Sequence, residues 1–189
     1  MFSLKNLPIW VNWKYETIEI VGKDAVRVPR KTKVPYQITG KRASPTNPEE
    51  WATHEKVLEN SSNFNGIGFV IAKEYPLLCI DLDHVVKENE IIREDLQILI
   101  DAANTYTELS PSKEGLHLIL RLDTHFSLLA NKKTNSDGTA IEVYTENRYF
   151  TYTGIPFGEE KPVRTIHKEE AEELLRMIGY PWGKGPIER

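Results

Sequence analysis

The clearest pattern of hydrophobic and polar positions lies in residues 77–84, which read LLCIDLDH. In a β-strand, successive side chains point to opposite faces. Leu78, Ile80 and Leu82 would then face a core, while Asp81 and Asp83 would share the other face, roughly 7 Å apart at Cα. Two carboxylates at this spacing can bind a pair of hard cations, or they can simply close a solvated strand end.

The same reasoning divides the rest of the chain into elements. Strands are predicted over residues 8–20, 66–72, 105–109, 116–122, 140–145 and 148–153, and an edge strand or shaped loop over 26–36, which two prolines interrupt. Helices are predicted from Asn47 to about Leu58, over 89–103, and from His167 to Ile178. Turns or loops are predicted over 22–24, 40–47, 110–115 and 126–138, and a linker over 182–189.

From residue 66 onward this order indicates an α+β fold, with one mostly antiparallel sheet and helices packed on one face. His117 and Glu142 alternate with apolar residues on their strands, as Asp81 and Asp83 do. All four side chains are therefore expected on the face away from the helices. Burying ionised carboxylates without partners is costly, so we expect that face to be a solvated cleft that holds cations.

Composition narrows the class of protein. The 189 residues are 40% hydrophobic and 28% charged, as in an ordinary globular protein, and the single cysteine, Cys79, excludes a disulfide framework and a cysteine-built zinc site. No membrane span or signal-peptide pattern is present, which predicts a cytoplasmic protein without a membrane partner. A formal net charge of −4 argues against nonspecific coating of nucleic acid.

Positive charge is concentrated in one segment. Residues 23–42 contain seven basic side chains and one acid. A basic stripe on an acidic body suits an enzyme that holds a polyanion at one place, although a solvated basic hairpin has the same composition. Nucleic-acid contacts are predicted for Arg30, Lys31, Lys41, Arg42, Lys132 and Lys133.

Asp81, Asp83 and Glu142 make a donor set suited to Mg²⁺ or Mn²⁺. His117 follows the loop SPSKEG, in which Ser112 and Lys113 can offer a phosphate a hydroxyl and a positive charge. Arg148 is a further candidate, with an ordinary surface arginine as the alternative. Cys79 is interpreted as a packing residue, because no activating base is evident.

These segments resemble the archaeo-eukaryotic primase superfamily, and in particular its phage- and plasmid-encoded primase–polymerase (Prim-Pol) branch. CIDLDHV resembles the first motif, SPSKEGLHLIL the second and AIEVY the third. Gly115 stands where many members have Ser, and Glu142 where many have Asp. RYFTYTG, WVNWKYE, KVPY and GIGFV look similar to flanking elements of that branch, so the resemblance covers about residues 8–156.

The resemblance implies a catalytic core like an RNA-recognition-motif (RRM) sheet over 66–160, an N-terminal α/β module over 1–65, and an active cleft between them. Residues 161–189 would be a C-terminal helix and linker that lead to further domains, among them a fused or associated helicase. The implied activity is template-directed nucleotidyl transfer, by a DNA primase or DNA polymerase, through a two-metal mechanism. It would serve the replication of a phage, plasmid or other mobile element in the cytoplasm of a prokaryotic or virus-infected host cell. The implied partners are a single-stranded DNA template, a primer, and deoxy- or ribonucleoside triphosphates.

By position, the resemblance assigns Asp81, Asp83 and Glu142 to two metals. It assigns triphosphate contacts to Ser112, Lys113, His117 and Arg148, with Lys33 reaching the nucleotide or template. A two-metal nuclease would use the same three carboxylates without the triphosphate contacts. A replication-initiator endonuclease would need two histidines one residue apart, where GLHLIL offers one. A noncatalytic module that binds single strands would present aromatic side chains on the sheet rather than three acids.

Overall fold

The protein is described by a computed structural model that covers residues 2–21, 26–129 and 131–182. Its strands are β1 (Trp10–Val21), β2 (Arg27–Tyr36), β3 (Gly66–Ile71), β4 (Leu77–Asp83), β5 (Val86–Lys87), β6 (Glu90–Ile91), β7 (Tyr106–Leu109), β8 (Leu116–Leu122), β9 (Lys132–Thr134), β10 (Ala140–Tyr144), β11 (Arg148–Tyr152) and β12 (Arg164–Ile166). The α-helices are α1 (His54–Glu59), α2 (Glu94–Ala103) and α3 (Lys168–Met177). The predicted α+β class is confirmed.

The larger sheet, which we call the helix-backed sheet, has the strand order β12-β8-β4-β10-β9, and β7 also pairs with β8. β4 lies antiparallel between β8 and β10. One face packs against α2 and α3: Leu78, Ile80 and Leu82 are fully buried in the same cluster as Leu99 and Leu174. The alternation in LLCIDLDH therefore has the predicted phase.

A second antiparallel sheet, the N-terminal sheet, has the order β11-β3-β1-β2. The expectation of one sheet for all strands after residue 66 is wrong, because β3 and β11 pair with each other and β3 pairs with β1. Gly68 permits this pairing: a Cβ there would lie 2.5 Å from the carbonyl oxygen of Phe150. The proposed division into residues 1–65, 66–160 and 161–189 stays a prediction, although strand pairing crosses residue 65.

The two sheets are joined by an aromatic and aliphatic core. Trp10 is fully buried and makes edge contacts with the rings of Phe69 and Tyr152, at centroid distances of 5.6 and 5.1 Å. Leu77 and Cys79 belong to the same cluster, on the face of β4 that also carries Asp81. The expectation of a fully solvated face is therefore wrong. Half of that face is buried against the N-terminal sheet, and the part near Asp81 and Asp83 borders a cleft. Cys79 is a packing residue, as predicted.

Beyond Trp13, β1 and β2 continue together as a two-stranded ribbon. Within β1, the residues that pair with β3 are Trp10–Trp13, whereas the pairing of β1 with β2 extends from Asn12↔Tyr36 to Val21↔Arg27. We call residues 14–21 and 27–34 the arm. The turn predicted at 22–24 falls outside the described residues, as does most of the predicted linker at 182–189.

Several local predictions need correction. The helix predicted from Asn47 is a 3-10 turn, Pro48–Glu50, followed by α1, because Ala52 exchanges two backbone hydrogen bonds with Trp10 and Thr53 caps a new helix. The helix predicted from residue 89 begins at Glu94, since Glu88 and Asn89 adopt left-handed backbone angles in the β5–β6 turn.

Four short strands were not predicted: β5 and β6, which pair with each other, and also β9 and β12. β9 lies within the predicted loop 126–138 and pairs with β10. β12 pairs in parallel with β8, and Trp182 packs back on the helix-backed core. None of the described helices is long and apolar enough to cross a membrane.

Candidate active-site cleft

A row of four polar side chains crosses the helix-backed sheet on the face away from its helices. Glu142 lies opposite Asp81, Asp81 opposite His117, and His117 opposite Glu108, on β10, β4, β8 and β7. Residues directly opposite on antiparallel strands share a face with Cβ atoms about 5 Å apart. We call these four residues the polar row. Asp83 lies two residues beyond Asp81 and borders the same cleft.

Asp81 is the most perturbed carboxyl group of the cleft. Burial is the largest cause and raises its pKa from the ordinary 3.8 to about 6; the charges of His117 and Lys33 act to lower this pKa, and those of Asp83 and Glu142 act to raise it. Its Oδ1 atom is buried and lacks a hydrogen-bond partner among the described residues. A buried carboxylate oxygen without a donor is costly, so Asp81 has free capacity for a cation.

Glu142 has the opposite electrostatic balance. Burial acts to raise its pKa, but hydrogen bonds from the Lys132 ammonium and the Tyr144 hydroxyl, with the charges of Lys132 and Arg148, hold the pKa below its ordinary value. Lys132 contacts one carboxylate oxygen and Tyr144 the other. Arg148 stands 3.9 Å from the second oxygen. Glu142 is thus kept ionised by neighbouring cations.

His117 is held firmly in the cleft floor. It is 2% exposed, and its Nδ1 lies 3.0 Å from the Glu108 carboxylate. Its Nε2 faces Asp81 Oδ1 at 3.7 Å, and its ring contacts Phe150 at a centroid distance of 4.5 Å. The ring therefore has one nitrogen committed to Glu108 and one directed toward Asp81.

The cleft has a volume of about 330 Å³ and lies between the polar row and the N-terminal sheet. Its other wall contains basic and aromatic side chains: Tyr15, Arg30, Lys31, Lys33, Arg148 and Tyr149. Lys31 Nζ lies 4.2 Å from the centre of the Tyr15 ring, and Arg148 lies 4.9 Å from that of Tyr144. An acidic floor thus faces a cationic wall, which is the arrangement that suits a metal-bound polyanion.

The structure separates Ser112 and Lys113 from the acids. Ser112 lies 3.0 Å from the Ser110 hydroxyl and accepts a hydrogen bond from the backbone of Glu114, so its hydroxyl is used within its own loop. Lys113 lines a different hollow, the neighbouring groove, together with His54, Tyr152 and Ile155. Tyr15 borders both the cleft and this groove. The triphosphate role predicted for Ser112 and Lys113 gains no geometric support.

Gly115 is confined by the neighbouring strand. A Cβ on Gly115 would lie 2.6 Å from the carbonyl oxygen of Leu82 and 3.5 Å from the Cα of Asp83. The loop before His117 therefore packs directly on the Asp81–Asp83 segment. In this chain a serine at position 115 would require backbone movement beside the carboxylates.

The predicted nucleic-acid contacts fall into three settings. Arg30 and Lys31 lie on the arm and line the cleft. Lys41 is exposed in a turn, and Arg42 makes an ion pair with Glu16, which faces away from Tyr15 on β1.

The two predicted lysines of β9 also diverge. Lys132 binds Glu142 within the cleft, while Lys133 lies opposite Ile141, on the face that α2 and α3 cover. The predicted basic residues therefore do not form one continuous surface.

Glu108 is the residue of the polar row that sequence reasoning missed. It is fully buried and accepts hydrogen bonds from the Tyr106 hydroxyl and the backbone amides of Thr153 and Gly154, and one of its oxygens lies 3.0 Å from His117 Nδ1. The available signal was an acid on a predicted strand beside a strand carrying His117. Glu108 was not distinguishable from a solvated glutamate, because its partners come from distant segments.

The side chains as they stand do not enclose a cation. Among residues 2–21, 26–129 and 131–182, no group of three or more His, Cys, Asp or Glu side chains has the spacing of a formed metal site. Both oxygens of Glu142 are already engaged, one by Lys132 and the other by Tyr144. A cation bound by Glu142 would therefore have to displace Lys132 or Tyr144 from its carboxylate.

Comparison with known proteins gives an informative similarity. No protein-family model matches the chain. A protein named DNA primase-polymerase, from Nitratiruptor phage NrS-1, is 35% identical over an alignment of 189 positions. The alignment covers 95% of this chain and 24% of the phage protein, so this chain spans about a quarter of the length of that relative.

Proposed function

We propose that the chain is a Prim-Pol catalytic domain of the archaeo-eukaryotic primase superfamily, which performs template-directed nucleotidyl transfer in the replication of a phage, plasmid or other mobile element. One observation carries the proposal: Asp81, Asp83 and Glu142 border a single cleft whose opposite wall supplies Lys33, Arg148 and the arm cations. A triphosphate needs both features, a site for divalent cations and a cationic wall for its oxygens.

The donor set fits two hard cations. Asp81 contributes a buried oxygen without a partner, Asp83 lies on the same strand face, and Glu142 is held ionised. Mg²⁺ or Mn²⁺ bound there would activate a primer hydroxyl and neutralise charge on the reacting phosphates. For Glu142 to join, the Lys132 ammonium must leave its carboxylate. Its side chain is 52% exposed and has room to do so.

The chain's own cationic groups would hold the nucleotide. Arg148 and Lys33 face the acids across the cleft and can bind oxygens of the triphosphate, while His117 Nε2 approaches from the floor. Arg30 and Lys31 extend this positive surface along the arm, which suits the phosphates of a template strand. In this proposal Tyr15, between the cleft and the neighbouring groove, lies beside the path of the template.

The similarity to the phage DNA primase-polymerase supports this reading, and the helix-backed sheet with two helices on one face supports an RRM-like core. This chain matches only about a quarter of that relative. A fused or associated helicase, and any factor needed to initiate chains, are therefore proposed only for a longer protein that contains this domain.

A two-metal nuclease remains the second candidate, since it would use the same carboxylates. The cationic wall favours the polymerase, because hydrolysis of a single phosphodiester gains little from four cationic side chains that line one wall of the cleft. A noncatalytic single-strand module is disfavoured by the same geometry, because it places three carboxylates where bases would stack.

The deciding experiment supplies primer, single-stranded template, nucleotides and Mg²⁺ or Mn²⁺, and measures primer length together with released pyrophosphate. We expect lengthening with one pyrophosphate per nucleotide added, and loss of both in Asp83→Asn. Ribo- and deoxynucleotides are tested separately, with and without primer. Primer shortening at a rate indifferent to nucleotide would identify a nuclease.

A further inference from the structure

We propose that Glu108 is the positioning residue of the cleft: it fixes His117 so that only Nε2 faces the substrate. The expected effect on nucleotide kinetics rests on the proposed function, whereas the orientation of the His117 ring follows from the geometry alone. Glu108 lies on β7, beside His117 on β8, and both side chains are almost entirely buried.

The orientation of the histidine ring follows from the donors around Glu108. Oε1 accepts from the backbone amide of Thr153 at 3.0 Å and lies 3.0 Å from His117 Nδ1. Oε2 accepts from the amide of Gly154 and the Tyr106 hydroxyl, each at 2.9 Å. Backbone amides only donate, so both oxygens act as acceptors here. As a carboxylate, Glu108 only accepts hydrogen bonds, so its contact with His117 places a hydrogen on Nδ1 and leaves Nε2 to the cleft.

Glu108 also connects the two walls of the cleft. Thr153 and Gly154 directly follow β11, and β11 carries Arg148 and Phe150 in the N-terminal sheet. Glu108 itself belongs to the helix-backed sheet. A single carboxylate thus sets the position of His117 and anchors the end of the strand that bears Arg148. Phe150 holds the other side of the imidazole ring, 4.5 Å away between centroids.

Glutamine at position 108 would keep the shape of the side chain, remove its charge and replace one acceptor oxygen with an NH2 donor. Its amide nitrogen would face Thr153 N–H and His117 Nδ1, or Gly154 N–H and Tyr106, and in each case it meets a group that only donates. In the first orientation His117 can accommodate the amide only by losing the hydrogen on Nδ1. We therefore expect Glu108→Gln to change the tautomer of His117.

The test combines nitrogen NMR of labelled histidine with nucleotide kinetics. In the wild type the His117 signals, identified by their loss in His117→Gln, should show a hydrogen on Nδ1. In Glu108→Gln we expect a second tautomer, a nucleotide KM raised by about tenfold or more, and an unchanged Kd for primer–template. Tyr106→Phe is the matched control: it removes one donor from Oε2 but keeps the Oε1–His117 contact, so KM should stay within about twofold.

Each result has a distinct meaning. An Nδ1 without hydrogen in the wild type would overturn the inference even if Glu108→Gln fails to fold. An active wild type whose KM and tautomer are both indifferent to Glu108→Gln would also overturn it, and leave the proposed function intact. A tautomer change in a protein that never uses nucleotide would support the positioning role and refute the polymerase.

Discussion

Asp81 provides a quantitative test of the cleft, because the structure implies that its charge destabilises the metal-free fold. Asp81→Asn keeps the shape of the side chain and removes the charge. In the native protein the carboxyl pKa is raised from 3.8 to about 6, chiefly by burial. At ~1.4 kcal/mol per pKa unit this difference amounts to about 3 kcal/mol.

The sign of the pH dependence follows from linkage. The native state binds the Asp81 proton more tightly than the unfolded state does. As pH rises from about 4 to above 6, the wild type therefore loses up to ~3 kcal/mol of unfolding free energy through this group. Asparagine does not titrate. The two proteins should be about equally stable near pH 4, and Asp81→Asn should be more stable at pH 8 by as much as ~3 kcal/mol.

Urea unfolding with EDTA, at a series of pH values from 4 to about 8, measures this difference. Asp101→Asn, on the exposed surface of α2, is the matched control and should shift stability by less than about 0.5 kcal/mol at every pH. Millimolar Mg²⁺ should stabilise the wild type and have a smaller effect on Asp81→Asn. A variant that is less stable than wild type at pH 8, or a difference that does not change with pH, would refute the reasoning.

Three further sets of substitutions test the remaining parts of the site. Arg148→Ala should raise the nucleotide KM by about tenfold or more, because it removes a charge-assisted hydrogen bond to the triphosphate. Lys113→Ala, in the neighbouring groove, should leave this KM unchanged. Equal increases in KM for the two variants would mean that Lys113 also contacts the triphosphate. Replacing Arg30 and Lys31 with Gln should lower the slope of log affinity against log salt concentration for single-strand binding, by roughly 0.7 for each phosphate that the variant no longer neutralises. Replacing Lys41 and Arg42 should lower this slope less, since Arg42 is already paired with Glu16. Fluorescence-anisotropy titrations measure both slopes, and a larger decrease for the Lys41 and Arg42 variant would mean that the template crosses the other face. Gly115→Ser should destabilise the fold by about 1–3 kcal/mol in urea unfolding, because its Cβ meets the Leu82 carbonyl at 2.6 Å, and an unchanged midpoint would mean that the loop yields freely.

The acid-bearing face was predictable from sequence because strands have a period of two. In LLCIDLDH, LHLIL and AIEVY, the aliphatic residues fix which face is buried against helices, and the remaining positions must share the other face. The register that places Glu142, Asp81 and His117 directly opposite one another is not contained in any single strand. It depends on how segments 84–105 and 123–139 return the chain, and those segments contain the late start of α2 and the unpredicted strands β5, β6 and β9.

Pairing between distant strands was harder to predict for a different reason. GIGFVI and RYFTY look like ordinary buried strands. Nothing in either sequence indicates that they pair with each other and enter the sheet of β1, rather than pairing with the strands next to them in the chain. The structure shows why this pairing needs glycine at position 68, because a Cβ there would clash with the carbonyl oxygen of Phe150. The same long-range arrangement directs Arg148 into the cleft, because β11 lies in the opposite wall.

Glu108 shows where reasoning from local pattern stops. A glutamate in YTEL, taken alone, is best explained as a solvated side chain, because a buried carboxylate without partners is strongly disfavoured. Its burial becomes tolerable only when His117, Tyr106 and the amides of Thr153 and Gly154 converge on it, and the amides lie 45 and 46 residues away along the chain. Bringing these groups together costs conformational entropy, and burying the carboxylate costs desolvation free energy. An arrangement that satisfies both oxygens of a buried acid is therefore more than packing requires. We infer that it serves to fix the orientation and tautomer of His117, and the tautomer measurement tests this directly.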